Sequence, residues 1–127
     1  MPHPKFSLKK RAHSFKYAWA GMVTLLREEH NARIHLFFAL IALLLSWFLR
    51  ISPTEWLFVL GAIALVFVTE LLNSAIEKLA DFVSPEKHSL IKKVKDFGAA
   101  AVLIAALNAF IIGLVIFLPK LISCFAT

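Results

Sequence analysis

Beyond an apolar stretch the polar residues Glu70, Asn73, Ser74, Glu77 and Asp81 follow with no turn signal, and Glu70, Asn73, Glu77 and Asp81 stand at offsets of zero, three, seven and eleven. At about 100° per residue they fall within an arc of roughly 80°, on one face of a helix. Leu71, Leu72, Ala75 and Ile76 continue the apolar surface around them. Glu70 is therefore read as an ionisable group at the edge of a hydrocarbon layer, where function is the first hypothesis. The plainer reading, carboxylates emerging into cytoplasmic water, weighs most for Asp81.

Phosphoryl transfer is the chemistry that suits such a stripe. Mg²⁺ takes oxygen ligands and is usually held by one or two carboxylates together with the phosphates of a nucleotide. An attacking hydroxyl needs a positioned base, and cations must neutralise the phosphates. Glu70 and Glu77 supply carboxylates, Glu28 and Glu29 stand ahead of the first apolar run, and Lys95 lies just before the last. The sequence has no GxxxxGK[ST] loop, and its glycines are Gly21, Gly61, Gly98 and Gly113. A nucleotide would have to be held by side chains. A proton- or cation-coupled transporter with an interfacial acidic site is the alternative, since it too needs carboxylates. The gathering of the acids at one end of the apolar runs, with no charge at any midpoint, weighs against it.

The elements that would position these groups are helices. Phe15, Trp19, Met22 and Leu26 recur at helical spacing beside Lys9, Lys10, Arg11, Lys16 and Arg27, which predicts an amphipathic surface helix over 6–30. Three spans are predicted after it: 34–50, 54–83 with a cytoplasmic extension carrying the acidic stripe, and 96–118. Arg33 and Arg50 bound the first span and are expected to snorkel. Ser52, Pro53 and Thr54 make the first turn, with Pro53 suited to open the next helix. Ser84 and Pro85 end the second span, 86–95 reads as a charged connector, and Pro119 with Lys120 is expected to end the third.

Composition agrees with a membrane protein. Of 127 residues, 60% are hydrophobic, against about 45–50% for soluble domains, and the mean hydropathy is +0.78. The net charge of +6 flanks apolar runs, so lipid headgroups and membrane orientation explain it better than nucleic acid. Cys124 is the only cysteine, which excludes an intrachain disulfide and a zinc cluster. The first apolar run follows a long basic segment and is not expected to be a signal peptide. Seven basic residues precede the first span, five lie from Lys78 to Lys95, and only Arg50 and Lys120 remain. The positive-inside rule puts the N-terminus in the cytoplasm and the C-terminus outward. One all-α membrane domain over 1–127 is expected, and so small a bundle should self-associate.

The octapeptide from Glu70 to Glu77, ELLNSAIE, resembles the ExxNSAIE signature of the small prokaryotic diacylglycerol kinases and the related undecaprenol kinases. Lys95 and Asp96, followed by Phe97, Gly98 and the run from Ala99 to Leu103, resemble the second family signature at the family's spacing. The stretch from Tyr17 to Gly21 and Glu29 also match, so the resemblance covers nearly the whole chain. It implies an ATP- and Mg²⁺-dependent lipid kinase of the bacterial inner membrane, a homotrimer with one surface helix and three transmembrane helices per chain and active sites shared between subunits.

Carried over by position, the resemblance implies that Glu70 is the general base and that Asn73 orders the site beside it. Glu29 and Glu77 would bind Mg²⁺. Lys10, Tyr17, Glu86, His88, Lys95 and Asp96 would join them around the nucleotide. Lys10 stands where the family commonly has arginine, so its phosphate contact would be single rather than forked. Trp19, Asn31, Arg33, Trp56 and Ala99 would meet the lipid together with Glu70. Ala99 replaces a serine of the enteric diacylglycerol kinase, and EHNARIH over 29–35 resembles the ExNxRIH pattern of the undecaprenol kinases. The resemblance therefore leans to undecaprenol over 1,2-diacylglycerol, giving undecaprenyl phosphate for carrier recycling rather than phosphatidic acid for phospholipid synthesis.

Overall fold

The computed structural model describes residues 3–126. Among these the chain forms four α-helices and no strand: α1 (Leu8–Glu28), α2 (His30–Phe48), α3 (Pro53–Val83) and α4 (Ser89–Phe125). The last three are each long and apolar enough to cross a membrane. At 1.5 Å per residue, the 31 residues of α3 and 37 of α4 reach about 46 and 55 Å, well beyond a hydrocarbon core of about 30 Å.

Each helix end has a local cause. Ser7 caps α1, its side chain accepting from the Lys10 amide at 3.4 Å. Only Glu29, in extended conformation (φ −108°, ψ 117°), separates α1 from α2. Arg33, at the start of the first predicted span, reaches back to α1. Its Nε donates to the Leu26 carbonyl at 2.7 Å and its Nη2 to the Arg27 carbonyl. The last carbonyls of a helix lack intrahelical partners, so the guanidinium both satisfies α1 and pins the elbow at Glu29.

The α2–α3 turn also falls elsewhere than expected. Arg50 adopts a left-handed φ of 52°. The Ile51 amide returns to the Ser46 carbonyl and the Arg50 amide to Trp47, each at 3.3 Å. This is a Schellman closure with arginine in the place usually taken by glycine. Ser52 then caps α3 in a reciprocal capping box with Glu55, and Pro53 opens the helix, as the sequence predicts.

α3 and α4 form the most extensive helix pair, and α2 leans on both more lightly. At the end remote from the acidic stripe, Ile51, Val59, Ile116 and Phe117 are buried and packed by Leu45, Trp56 and Leu121. Lys120 reaches Glu55 there at 3.3 Å. These contacts carry α4 through Pro119 to Phe125, past the expected stop. At its other end α4 begins at Ser89, so most of the predicted connector is helical. His88 caps it, Nδ1 accepting from the Leu90 amide at 3.0 Å.

Candidate functional site

The site is built where α3 leaves its apolar stretch. With no glycine or proline between Gly61 and Pro85, nothing breaks the helix, and α3 carries Glu70, Asn73 and Glu77 on one side as predicted. Glu70 is buried, its side chain 4% exposed. Asn73, one turn on, donates through Nδ2 to Glu77 Oε1 at 3.4 Å. Glu29 stands at the elbow between α1 and α2.

Close packing against α4 fixes Asn73. Gly98 is buried, and a Cβ there would collide with Asn73 Oδ1 and lie 3.2 Å from its Cγ. Gly98→Ala is therefore expected to push Asn73 away from Glu77. Overpacking of this kind costs about 1–3 kcal/mol, while a displacement near the chemistry of order 1 Å costs about 10²-fold in rate. Thermal unfolding and lipid turnover on one detergent preparation check this, with turnover falling far more than stability.

The remaining charges sort into paired and unpaired groups. Glu28 binds Lys78 at 2.8 Å, Asp81 binds Lys95 at 2.6 Å, and Asp96 binds Lys92 at 2.6 Å. Among the described residues, neither Glu29 nor Glu77 has a cationic partner within ion-pair distance. At the α3–α4 turn a cleft of about 550 Å³ opens, lined by Asp81, Glu86, His88, Lys95 and Asp96 among others. The last four, all nucleotide-contact candidates, are thereby brought together. Lys10, Tyr17 and Trp19 lie exposed on α1 and Asn31 is exposed at the start of α2, apart from that cleft. Ala99 is exposed beside Gly98. Trp56 packs on the remote core, fourteen residues and about 21 Å of helix from Glu70, so the two do not share one headgroup site. Arg33, assigned to the lipid, spends its guanidinium on α1.

One neighbour was not foreseen. His35 of α2 places Nε2 3.2 Å from Glu70 Oε1, within ion-pair distance but without the alignment of a hydrogen bond. Glu70 Oε1 and Asn73 Oδ1 are buried without hydrogen-bond partners among the described residues. An imidazole in a helix is uninformative by spacing alone, and only the approach of α2 to α3 joins it to the carboxylate.

Residues 16–117 match the family model for prokaryotic diacylglycerol kinase. The chain belongs to that family. It is 39% identical over 108 residues to the undecaprenol kinase of Bacillus subtilis (strain 168), covering 85% of this chain and 88% of that protein. Over 111 residues it is 37% identical to the diacylglycerol kinase of Synechocystis sp., covering 87% of this chain and 63% of that one. The diacylglycerol kinase of Escherichia coli (strain K12) is 34% identical over 95 residues, with 75% and 78% covered. Membership in the prokaryotic diacylglycerol kinase family makes the chain a lipid kinase with a nucleotide phosphoryl donor. With its three apolar helices it is an integral membrane protein. The transporter alternative falls with that assignment.

The family implies Mg²⁺, and the donor set fits it. Among the described residues no three His, Cys, Asp or Glu side chains gather into a metal cage. Mg²⁺ does not need one, since one or two carboxylates and the nucleotide's phosphates suffice. Glu29 and Glu77 are two carboxylates, neither with a lysine or arginine within ion-pair distance among the described residues.

Proposed function

We propose that the chain is an ATP- and Mg²⁺-dependent kinase that phosphorylates the primary hydroxyl of a membrane lipid alcohol, undecaprenol ahead of 1,2-diacylglycerol. The observation that carries this reading is the sorting of carboxylates along one helix face. Glu70 is buried on the lipid side, and Glu77 stands about 10.5 Å further along by helical rise, half-buried and without an ion-pair partner among the described residues. Lipid arriving from the membrane and nucleotide arriving from water meet acids in that order.

Glu70 takes the proton of the lipid hydroxyl as its oxygen attacks the γ-phosphorus of ATP. An O–P bond forms to the lipid, the bond from the γ-phosphorus to the bridging oxygen breaks, and ADP departs. Glu29 and Glu77 would hold the Mg²⁺, which when bound would offset the charge on the phosphates. Asn73 keeps Glu77 in place. The nucleotide lies over the α3–α4 cleft against Glu86, His88, Lys95 and Asp96, with Lys10 and Tyr17 of α1 as further contacts. Lys95 turns from Asp81 to the phosphates. Trp19, Asn31 and Ala99 border the lipid.

The working unit is a homotrimer of this single domain in the bacterial inner membrane, with sites completed by a neighbouring copy. The extensive exposed apolar surface of α2, α3 and α4 offers area for association as well as for lipid. α1 lies along the cytoplasmic interface as an amphipathic helix, and the distribution of lysine and arginine supports a cytoplasmic N-terminus. The likeness to an undecaprenol kinase and the EHNARIH stretch support the order of substrates.

The test is ATP turnover in mixed micelles containing one lipid alcohol at a time. Lipid-dependent ADP release is expected, with kcat/KM for undecaprenol above that for short-chain diacylglycerol. Preference for diacylglycerol reverses the order and leaves the mechanism intact. Absence of release with either lipid would overturn the reading.

A further inference from the structure

Glu70 is a buried carboxylate with freedom it should not have. The terminal torsion of a glutamate is broad rather than fixed in narrow wells, and a base must meet its proton at hydrogen-bond distance. Its own helix does not hold it, because Oε1 lacks a hydrogen-bond donor among the described residues. Leaving a buried charged oxygen unsatisfied is costly, so a nearby donor is drawn to it.

His35 is placed to be that donor. It comes from a different helix, its Nε2 stands 3.2 Å from Oε1, and its side chain is 22% exposed. The ring also borders an apolar cavity of about 530 Å³ between α2, α3 and α4, together with Phe38, Val66 and Phe110. The imidazole thus sits between a lipid-like space and the carboxylate. Its χ2 torsion is soft, and a small ring rotation turns the present contact into a directed N–H···O bond. We propose that His35 is a positioning residue for the phosphoryl-transfer reaction: its Nε2–H fixes one oxygen of Glu70 so that the other faces the lipid hydroxyl. This rests on the reading of Glu70 as the base. Phe38 and Val66 line the same cavity and carry no competing donor.

The experiment compares His35→Leu, His35→Gln and Glu70→Gln with the wild type in lipid micelles, measuring kcat, both KM values and Mg-ATP binding. Glutamine carries an amide nitrogen about as far from its backbone as imidazole Nε2, whereas leucine fills the space without a donor. His35→Leu is expected to lower kcat by about 10²-fold, the effect of a misplaced catalytic group. Both KM values should stay within about twofold, as for loss of an interaction made in the transition state. His35→Gln should recover most of the rate, and nucleotide binding by each variant reports that it is folded.

Wild-type kcat in His35→Leu overturns the inference. A change confined to the lipid KM overturns it too, because His35 would then act on substrate rather than through Glu70. A glutamine variant as slow as leucine removes the donor role. If Glu70→Gln itself turns over normally, the base reading fails first. If Glu70→Gln is inactive while His35→Leu is normal, only the assignment of His35 is lost.

Discussion

Replacing Glu70 by glutamine lowers kcat by at least about 10²-fold, the low end for loss of a general base, and leaves Mg-ATP binding at the wild-type level. The substitution keeps the shape of the side chain and removes its basicity. Because Glu70 is only 3% exposed and its Oε1 lacks a donor, the neutral amide also relieves the penalty of a buried charge. Glu70→Gln should therefore unfold at a temperature no lower than the wild type, so that stability and activity part company. Nucleotide binding, lipid turnover and thermal unfolding on the same preparation decide the matter. Loss of Mg-ATP binding in step with turnover would move Glu70 into the nucleotide site.

The second large effect separates Glu29 and Glu77 from the acids beside them. Glu29→Gln or Glu77→Gln removes an anionic oxygen from Mg²⁺, so turnover should collapse and the Mg²⁺ concentration for half-maximal rate should rise by about 10-fold or more. Glu28→Gln breaks only the pair with Lys78, whose side chains are 49% and 57% exposed. Surface pairs of this kind contribute about 0–1 kcal/mol. A titration of rate against Mg²⁺ for the three variants checks the ordering. If Glu28→Gln shifts the Mg²⁺ requirement and Glu29→Gln does not, the ligand at the elbow has been misassigned.

Much of the frame was legible because local physics decides it. The continuation of α3 through Glu70 follows from a stretch free of glycine and proline, and Pro53 opens α3 for the reason its fixed φ predicts. Pro119 misled because proline removes one helical hydrogen bond but does not overrule tertiary contacts. Leu121 in the core and Lys120 on Glu55 hold the helix beyond it. The segment before Lys95 read as a connector for its charge, yet charge does not break helices, and Lys92 and Asp96 pair at i,i+4 within α4.

What the sequence could not reveal is pairing across helices. Glu28 with Lys78, Asp81 with Lys95, and His35 with Glu70 each join residues whose separation along the chain carries no signal. The fold brings Glu86, His88, Lys95 and Asp96 to one cleft, as their clustering in sequence suggests. It sets Trp56 far from Glu70, a separation that helical rise already implies.

The elbow at Glu29 has a consequence for how chain length can vary. A join of one extended residue, clamped by Arg33, has no slack in which to hide an insertion or deletion. One residue added to the end of α1 would turn everything before it by about 100° and shift it by about 1.5 Å. Glu28 would then leave Lys78, and a different side chain would occupy the bend. The α3–α4 turn, with several non-helical residues between Val83 and Ser89, can absorb such a change. Length polymorphism between functional variants should collect at that turn and be absent from the α1–α2 join.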